Sequence, residues 1–235
     1  ACGAAVDDDL VEAFRRALGA DELSAFGGVF ALTGAIDVAL ATAIADGPQA
    51  DVILAASLTD AARDVLVARR KATRLLTMPA PTPALRSLRS IGDDVLVQDP
   101  DELVRGPGDW TVATRRAPTD AERRDLVVAW RVCARTSSNA IVLARDGTAV
   151  GIGAGQQSRV VAAQLAVGKA QDRAAGAAAA SDAFFPFTDG LEVLVEAGVT
   201  AVVQPGGSVR DPDVVEAADK AGITMLLTAE RHFRH

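Results

Sequence analysis

The sequence has no tyrosine, and only two each of tryptophan, cysteine, histidine and methionine in 235 residues. Aromatic residues make up 4% of the chain while apolar residues reach 49%, so the chain is not of disordered composition and its core must be built from Ala, Val, Leu and Ile. Cys2 and Cys133 are too few for a disulfide framework, and neither lies in a CxxC pair. That usage fits a reducing, cytoplasmic compartment. Both histidines, His232 and His235, fall in the last four residues, where side chains are usually solvated tail. A Ser-His-Asp triad or a His-rich metal site has little to build on, and no metal is expected.

Positive charge is also short. Lys and Arg number 24 against 31 Asp and Glu, for a net charge of −7 and a pI near 4.9. Nucleic-acid binding usually needs a basic face, so the balance argues against it. A small anionic ligand stays open, because a local pocket can be positive on an acidic protein. No apolar run is long enough to span a membrane. The start reaches Asp7-Asp8-Asp9 before any apolar stretch, unlike a signal peptide, and carries no initiator Met, which fits a processed or truncated product.

What is present is an alternation. Residues 7–19 read as a helix capped by Asp9 and stopped by Gly19, followed by a glycine turn and short strand at 24–33 and a helix over 36–46. VILAAS at 52–57 reads as a buried strand, Thr59 to Arg70 as a helix and TRLLTM at 73–78 as a strand. Pro79, Pro81 and Pro83 then interrupt the pattern and mark the boundary between two lobes. DVLVQD at 94–99 is a strand, and a proline-containing polar stretch runs to Pro118. Thr119 with Glu122 forms a capping box for a helix to Ala134. NAIVLARDGTAVGIGAG reads as a hairpin turning at Asp146-Gly147. Helices at 158–176, 189–197 and 212–221 alternate with strands in AAAAS, VTAVVQ and ITMLLT. Such alternation predicts an α/β fold with largely parallel sheets, and ligand loops at the strand carboxyl ends.

Four loops carry candidate chemistry. Ser24-Ala25-Phe26-Gly27-Gly28 allows close backbone approach to a ligand, or is simply a tight turn. Gly151-Ile152-Gly153-Ala154-Gly155-Gln156-Gln157-Ser158-Arg159 opens a helix whose N–H groups favour an anion, and Arg159 could add a bidentate phosphate contact. Its G-x-G-x-G spacing differs from the dinucleotide fingerprint and follows a hairpin strand, leaving a nicotinamide-dependent oxidoreductase as a weak alternative. Ser181 to Asp189 holds three of the seven Phe residues, a wall on which a flat heterocycle could stack or else a hydrophobic plug. Gln204-Pro205-Gly206-Gly207-Ser208, with Arg210-Asp211, serves a ligand or starts the next helix.

SAFGG, SNAIV, GIGAGQQSR, SDAFFPF, QPGGSVRD and RHFRH, in that order, resemble the AICAR transformylase domain of the bifunctional purine-biosynthesis enzymes. The resemblance runs from Cys2 to His235 and is strongest from Asp125 onward. It implies two cytidine-deaminase-like α/β lobes without zinc, their sheets mostly parallel and flanked by helices: a first lobe at 1–90, truncated at its start, and a second at 91–235. It implies formyl transfer from 10-formyltetrahydrofolate to the 5-amine of AICAR on the way to IMP, in a homodimer with shared active sites. Neither nucleic acid nor membrane is an expected partner.

Carried over by motif, Asn139 lies where the reacting groups are positioned, and His235 resembles a histidine near the carboxamide; these two are the catalytic candidates. Phe26, Gly27, Asp51, Asn139 and Arg159 resemble nucleotide-site positions, and Phe184, Pro186 and Phe187 the wall around the imidazole. Asp189 resembles the carboxylate of the folate-side pocket, to which Gln204 and Gly206 are also assigned. The chain departs from the pattern at Gly92-Asp93-Asp94, which replaces a glycine-rich turn, and at Ser137, where many members have Lys. The family's Lys-His proton-transfer pair, its Arg-Tyr-Gly phosphate segment and its cyclohydrolase domain would all precede Ala1. The expectation is therefore slow transfer by this polypeptide alone, the alternative being a nucleotide- or folate-binding relative without catalysis.

Overall fold

The structure is a computed structural model that describes residues 1–80, 82 and 85–234. Pro81, Pro83 and His235, named above, lie outside the described residues. In chain order the strands are β1 (Ala4–Ala5), β2 (Gly28–Ile36), β3 (Ala50–Leu58), β4 (Arg74–Thr77), β5 (Ser87–Ile91), β6 (Asp94–Gln98), β7 (Thr111–Val112), β8 (Ile141–Arg145), β9 (Thr148–Gly153), β10 (Ala178–Ser181), β11 (Ala201–Gln204) and β12 (Thr224–Leu227). The helices are α1 (Leu10–Ala20), α2 (Glu22–Ala25), α3 (Val38–Asp46), α4 (Asp60–Arg69), α5 (Asp120–Cys133), α6 (Arg159–Ala170), α7 (Asp189–Glu196) and α8 (Asp211–Lys220). The expected α/β class with helix-flanked, parallel-rich sheets is what the chain adopts.

Two compact units divide the chain. One comprises Ala1–Phe26 with Arg105–His235, the other Gly27–Val104. These limits differ from the 90/91 division expected at the prolines, because the first 26 residues pack with the second half of the chain. β1 pairs with β9 through Ala4 and Ala149. Arg16 Nε donates to Thr148 Oγ1 at 3.0 Å. Arg173 donates to the carbonyls of Gly19 and Ala20, each at 3.1 Å, closing the end of α1.

The larger unit is a seven-stranded sheet in the order β1-β9-β8-β10-β11-β12-β7. Its β10, β11 and β12 are mutually parallel, while β8 runs antiparallel to β10. Alternate residues face opposite sides of a strand. Ile141, Leu143, Ala179, Val202 and Met225 form one buried cluster with Ala162, Ala166 and Ala170 of α6, Leu191 and Leu194 of α7, and Val214 and Ala218 of α8. On the other side Cys133 of α5 points its thiol at the carbonyls of Ala140 and Ala180, each 3.6 Å away.

Alanine lets the layers approach closely. At Gly151 and Gly153 of β9 a Cβ would lie 2.1 and 2.0 Å from the carbonyl oxygens of Ala166 and Ala162 of α6. The first two glycines of GIGAG are therefore helix-packing residues. The expected capping box of α5 is present, with Thr119 and Glu122 bonding reciprocally. Burial would raise the Glu122 carboxyl, but hydrogen bonds from Arg116 and Thr119 outweigh it and hold it below the ordinary carboxylate range.

In the smaller unit β2, β3 and β4 form a parallel sheet with α3 and α4 as connections. Leu40, Ile44, Ala62 and Leu66 of those helices are buried, as are Ile36 and Ile53 of the strands. β5 and β6 form a separate antiparallel hairpin turned at Gly92, whose φ is +60°. The sequence pattern shows β6 but not β5, whose SLRSI follows the proline run.

Candidate functional site

Topology brings five segments to one edge of the larger sheet. Because β8 is antiparallel to β10, Ile141 at the start of β8 pairs with Ser181 at the end of β10, and also with Gly153 at the end of β9. The segments before β8 and after β9, β10, β11 and β12 therefore meet at the carboxyl ends of the parallel strands. The last is tied in by Thr228 N–H donating to the Gln204 carbonyl at 2.9 Å and Ala229 N–H to that of Pro205 at 3.0 Å.

A polar network centred on Asp182 joins four of them, those before β8 and after β9, β10 and β12. Asp182 is fully buried. Its Oδ1 accepts from the Ala140 N–H at 2.9 Å and from Arg159 Nη1, and its Oδ2 accepts from the Ser138 hydroxyl. Its carbonyl accepts the His232 N–H at 3.1 Å. Arg159 Nη1 also donates to the Ala140 carbonyl at 3.1 Å, and Nη2 to Asn139 Oδ1 at 2.9 Å. Asn139 Nδ2 donates to the Gln156 carbonyl at 2.8 Å. These partners fix which way the amide faces, and leave one Nδ2 hydrogen and carbonyl lone-pair capacity for a ligand. The Ser138-Asn139 peptide bond is cis.

Arg159 stands at the first position of α6 as expected, with its side chain only 5% exposed. Its guanidinium reaches inward to the network, with Nε lacking a hydrogen-bond partner among the described residues. Gly190, at the start of α7, makes room for its stem: a Cβ there would lie 3.3 Å from Arg159 Cγ and 3.2 Å from the Phe185 ring. Burial pushes the Cys133 thiol well above its ordinary range, and the Asp182 carboxylate adds to the shift.

The aromatic loop divides its labour. Phe185 is fully buried in the core cluster. Phe184 and Pro186 are half-buried, and Phe187 and Asp189 are exposed. Arg210 lies over the Phe187 ring, 5.8 Å from its centroid, joining this loop to the one after β11. Gln204 is buried, its Oε1 accepting from the Phe185 N–H at 3.1 Å, so its side chain holds the aromatic loop. Gly206 has φ +73°, and Asp211 Oδ2 accepts from the N–H groups of Gly207 and Ser208 at 2.6 and 3.2 Å. The glycine loop after β11 is thus closed on its own helix.

Phe26 ends one unit with its ring exposed; Gly27 and Asp51 belong to the other. Gly27, at φ +71°, donates to the Gln49 carbonyl at 2.8 Å, and Asp51 is exposed on β3. Of the remaining candidates, Asn139 and Arg159 are bonded to each other, while Phe184, Pro186, Phe187 and Gly206 occupy loops at the same sheet edge, where Asp189 starts α7 and Gln204 ends β11.

Residue-by-residue reading missed Asp182 and Ser138 as organisers, and misjudged His232. Far from solvated tail, His232 is 1% exposed and meets Trp130 edge-to-face at 5.2 Å. Its backbone anchor on Asp182 brings the terminal segment inward, and the Ser138 N–H donating to the Arg234 carbonyl at 2.8 Å continues that seam. Arg231 and Arg234 are thereby exposed beside the network. An apolar groove of about 600 Å³ lies elsewhere, between β1 and α5, lined by Val6, Val127, Val128 and Val132 and by none of the candidate residues. Convergent polar groups, not concavity, identify the site. Among the described residues no group of three or more His, Cys, Asp or Glu could hold a metal ion, and no helix is long and apolar enough to cross a membrane.

The fold and this edge define an α/β protein with polar ligand loops at the carboxyl ends of its parallel strands. Residues 1–169 match the AICARFT/IMPCHase bienzyme family. The bifunctional purine biosynthesis protein PurH of Bradyrhizobium diazoefficiens is 46% identical over 246 aligned positions, covering 100% of this chain and 46% of that protein. The protein of the same name from Parasynechococcus marenigrum is 44% identical over 236, covering 100% of this chain and 46% of its own length. The chain belongs to the AICARFT/IMPCHase bienzyme family, and it spans about half the length of these curated relatives.

Proposed function

We propose that this chain supplies the transformylase part of a purine-biosynthetic enzyme, in which formyl passes from 10-formyltetrahydrofolate to the 5-amino group of AICAR. The observation that carries the reading is the Asn139–Arg159 pair, 2.9 Å apart at the sheet edge where five of the six motifs meet. The 5-amine of AICAR is a poor nucleophile, because the ring and its carboxamide withdraw the lone pair. Transfer is helped by a base that takes the amine proton as the C–N bond forms, and by donors to the developing formyl oxyanion. Holding two large substrates face to face contributes as much again.

In this reading Asn139 offers its remaining amide hydrogen and oxygen to the reacting groups, with Arg159 fixing its pose. Phe184, Pro186 and Phe187 form the wall beside the heterocycle, and Asp189 receives N–H groups on the folate side. Gln204 acts through the aromatic loop it holds, and Gly206 through the shape of its turn. Phe26, Gly27 and Asp51 serve the nucleotide, and His235 the carboxamide. Cyclohydrolase chemistry belongs to a part of the relatives that this chain does not span.

The test is calorimetric titration of the purified chain with AICAR. Binding is expected, weakened about tenfold or more by Arg159→Ala, because Asn139 loses the charged donor that holds its amide. Equal affinity for both proteins refutes the assignment of Arg159. We further propose a homodimer. The β5–β6 hairpin exposes Leu88, Ile91, Val95 and Val97, and a lone hairpin is marginal in water. Sedimentation of a monomer at micromolar concentration counts against the dimer.

A further inference from the structure

Asp182 lies too deep to touch a ligand, yet it bonds the segments before β8, after β9 and after β12. One oxygen takes the Ala140 N–H and Arg159 Nη1, the other takes the Ser138 hydroxyl, and its backbone carbonyl takes the His232 N–H. Three chain segments, far apart in sequence, are thus tied to one residue with no exposed surface.

We infer that Asp182 is a positioning residue for the formyl-transfer site: it sets the plane of the Arg159 guanidinium, and through Arg159 the pose of the Asn139 amide. This rests on the AICAR reading above. The geometry makes the dependence directional. With Nη1 fixed on Asp182 and the Ala140 carbonyl, the planar guanidinium can present Nη2 in one direction only, and that direction is Asn139 Oδ1. Without the carboxylate charge, both acceptors of Nη1 are neutral and hold the fork more weakly, so it can rotate. The same carboxylate also neutralises Arg159. Simple loss of a counter-charge would strengthen attraction of an anionic nucleotide, whereas loss of positioning weakens its binding, so the two roles predict opposite signs.

The experiment compares Asp182→Asn, Arg159→Ala and the double variant of the full chain. Asparagine keeps an oxygen for the Ala140 N–H, and the Ser138 hydroxyl can turn to accept from its amide, so the local hydrogen bonds survive with the charge removed. AICAR affinity is expected to fall about tenfold in Asp182→Asn, because the bond from Arg159 keeps its acceptor oxygen but loses the charge that holds it. The double variant should be no weaker than Arg159→Ala, because Asp182 acts through Arg159. Additive losses, unchanged affinity or tighter binding overturn the inference.

A second readout stands apart from AICAR. The arginine side-chain NMR signal that vanishes in Arg159→Ala should be that of a rotationally restricted guanidinium in the parent, and averaged in Asp182→Asn. A parent chain that ignores AICAR would refute the functional reading alone; a guanidinium equally restricted in both proteins would refute the positioning role alone. Should Asp182→Asn fail to fold, Ser138→Ala loosens the carboxylate by one hydrogen bond. It should cost a few-fold in affinity in the parent and nothing in the Arg159→Ala background; any equal effect in both overturns the inference.

Discussion

Gly153 offers a sharp test of how this fold holds its site. Its Cα faces α6, and a methyl group there would lie 2.0 Å from the Ala162 carbonyl oxygen, 2.9 Å from the Ala162 carbonyl carbon and 3.0 Å from the Ala166 nitrogen. All three are backbone atoms of a helix, so no side chain can swing aside. Ordinary contact needs about 3.5 Å, so α6 must retreat by about 1.5 Å along its first turns. Overpacking of this kind costs about 1–3 kcal/mol and sometimes more, and the contact here is at the severe end. At about 2–4 °C per kcal/mol for a chain of this size, Gly153→Ala should melt about 6–12 °C below the parent by circular dichroism. Arg159 opens the displaced helix, so affinity for AICAR should fall with stability. Gly168, in the same helix, is the matched control: nothing lies within 4 Å of a Cβ there, and its φ is not in the left-handed region. Gly168→Ala should stabilise by about 0.5–1 kcal/mol through helix propensity alone. A Gly153→Ala chain melting within about 1 °C of the parent would refute the close-packing argument.

Glu122→Gln should destabilise the chain by about 1–3 kcal/mol at pH 7, since the carboxylate accepts from Arg116 and Thr119. Its folded-state value is depressed, so this stabilisation is complete above the ordinary carboxylate value of about 4.3 and is lost as pH falls below it through the folded value. Melting temperatures of parent and variant should therefore converge on acidification below about pH 4, and a constant gap down to about pH 3 would count against the account. Cys133, buried with its thiol pushed up, should resist iodoacetamide in the native chain at pH 8 while partly exposed Cys2 reacts. Mass spectrometry showing equal labelling would place Cys133 outside the core.

Local signals made much of the secondary structure legible. Asp9 caps α1 through the Val11 N–H at 2.8 Å, Thr119 caps α5 as its sequence indicated, and Thr59, read as the start of a helix, is the cap of α4. The Asp146-Gly147 turn joins β8 to β9 as read. These features depend on neighbours within four or five residues, so a linear pattern carries them. β5 escaped because SLRSI is short, follows prolines and faces no core.

What the sequence determined by itself was the α/β alternation, the caps and turns, an alanine-rich core, and through its ordered motifs the family. What only the tertiary structure decided was the work each loop residue does. Gly151 and Gly153 read as part of an anion-binding loop, yet α6 packs directly against them. Arg159 read as a phosphate ligand, yet its guanidinium turns inward because Asp182, 23 residues away, sits buried beneath it. His232 read as tail, yet Trp130 and the Asp182 carbonyl draw it into the core. In each case the deciding partner is distant in sequence. A residue type states what an atom can donate or accept; only the packed chain settles which partner stands within three ångströms of it.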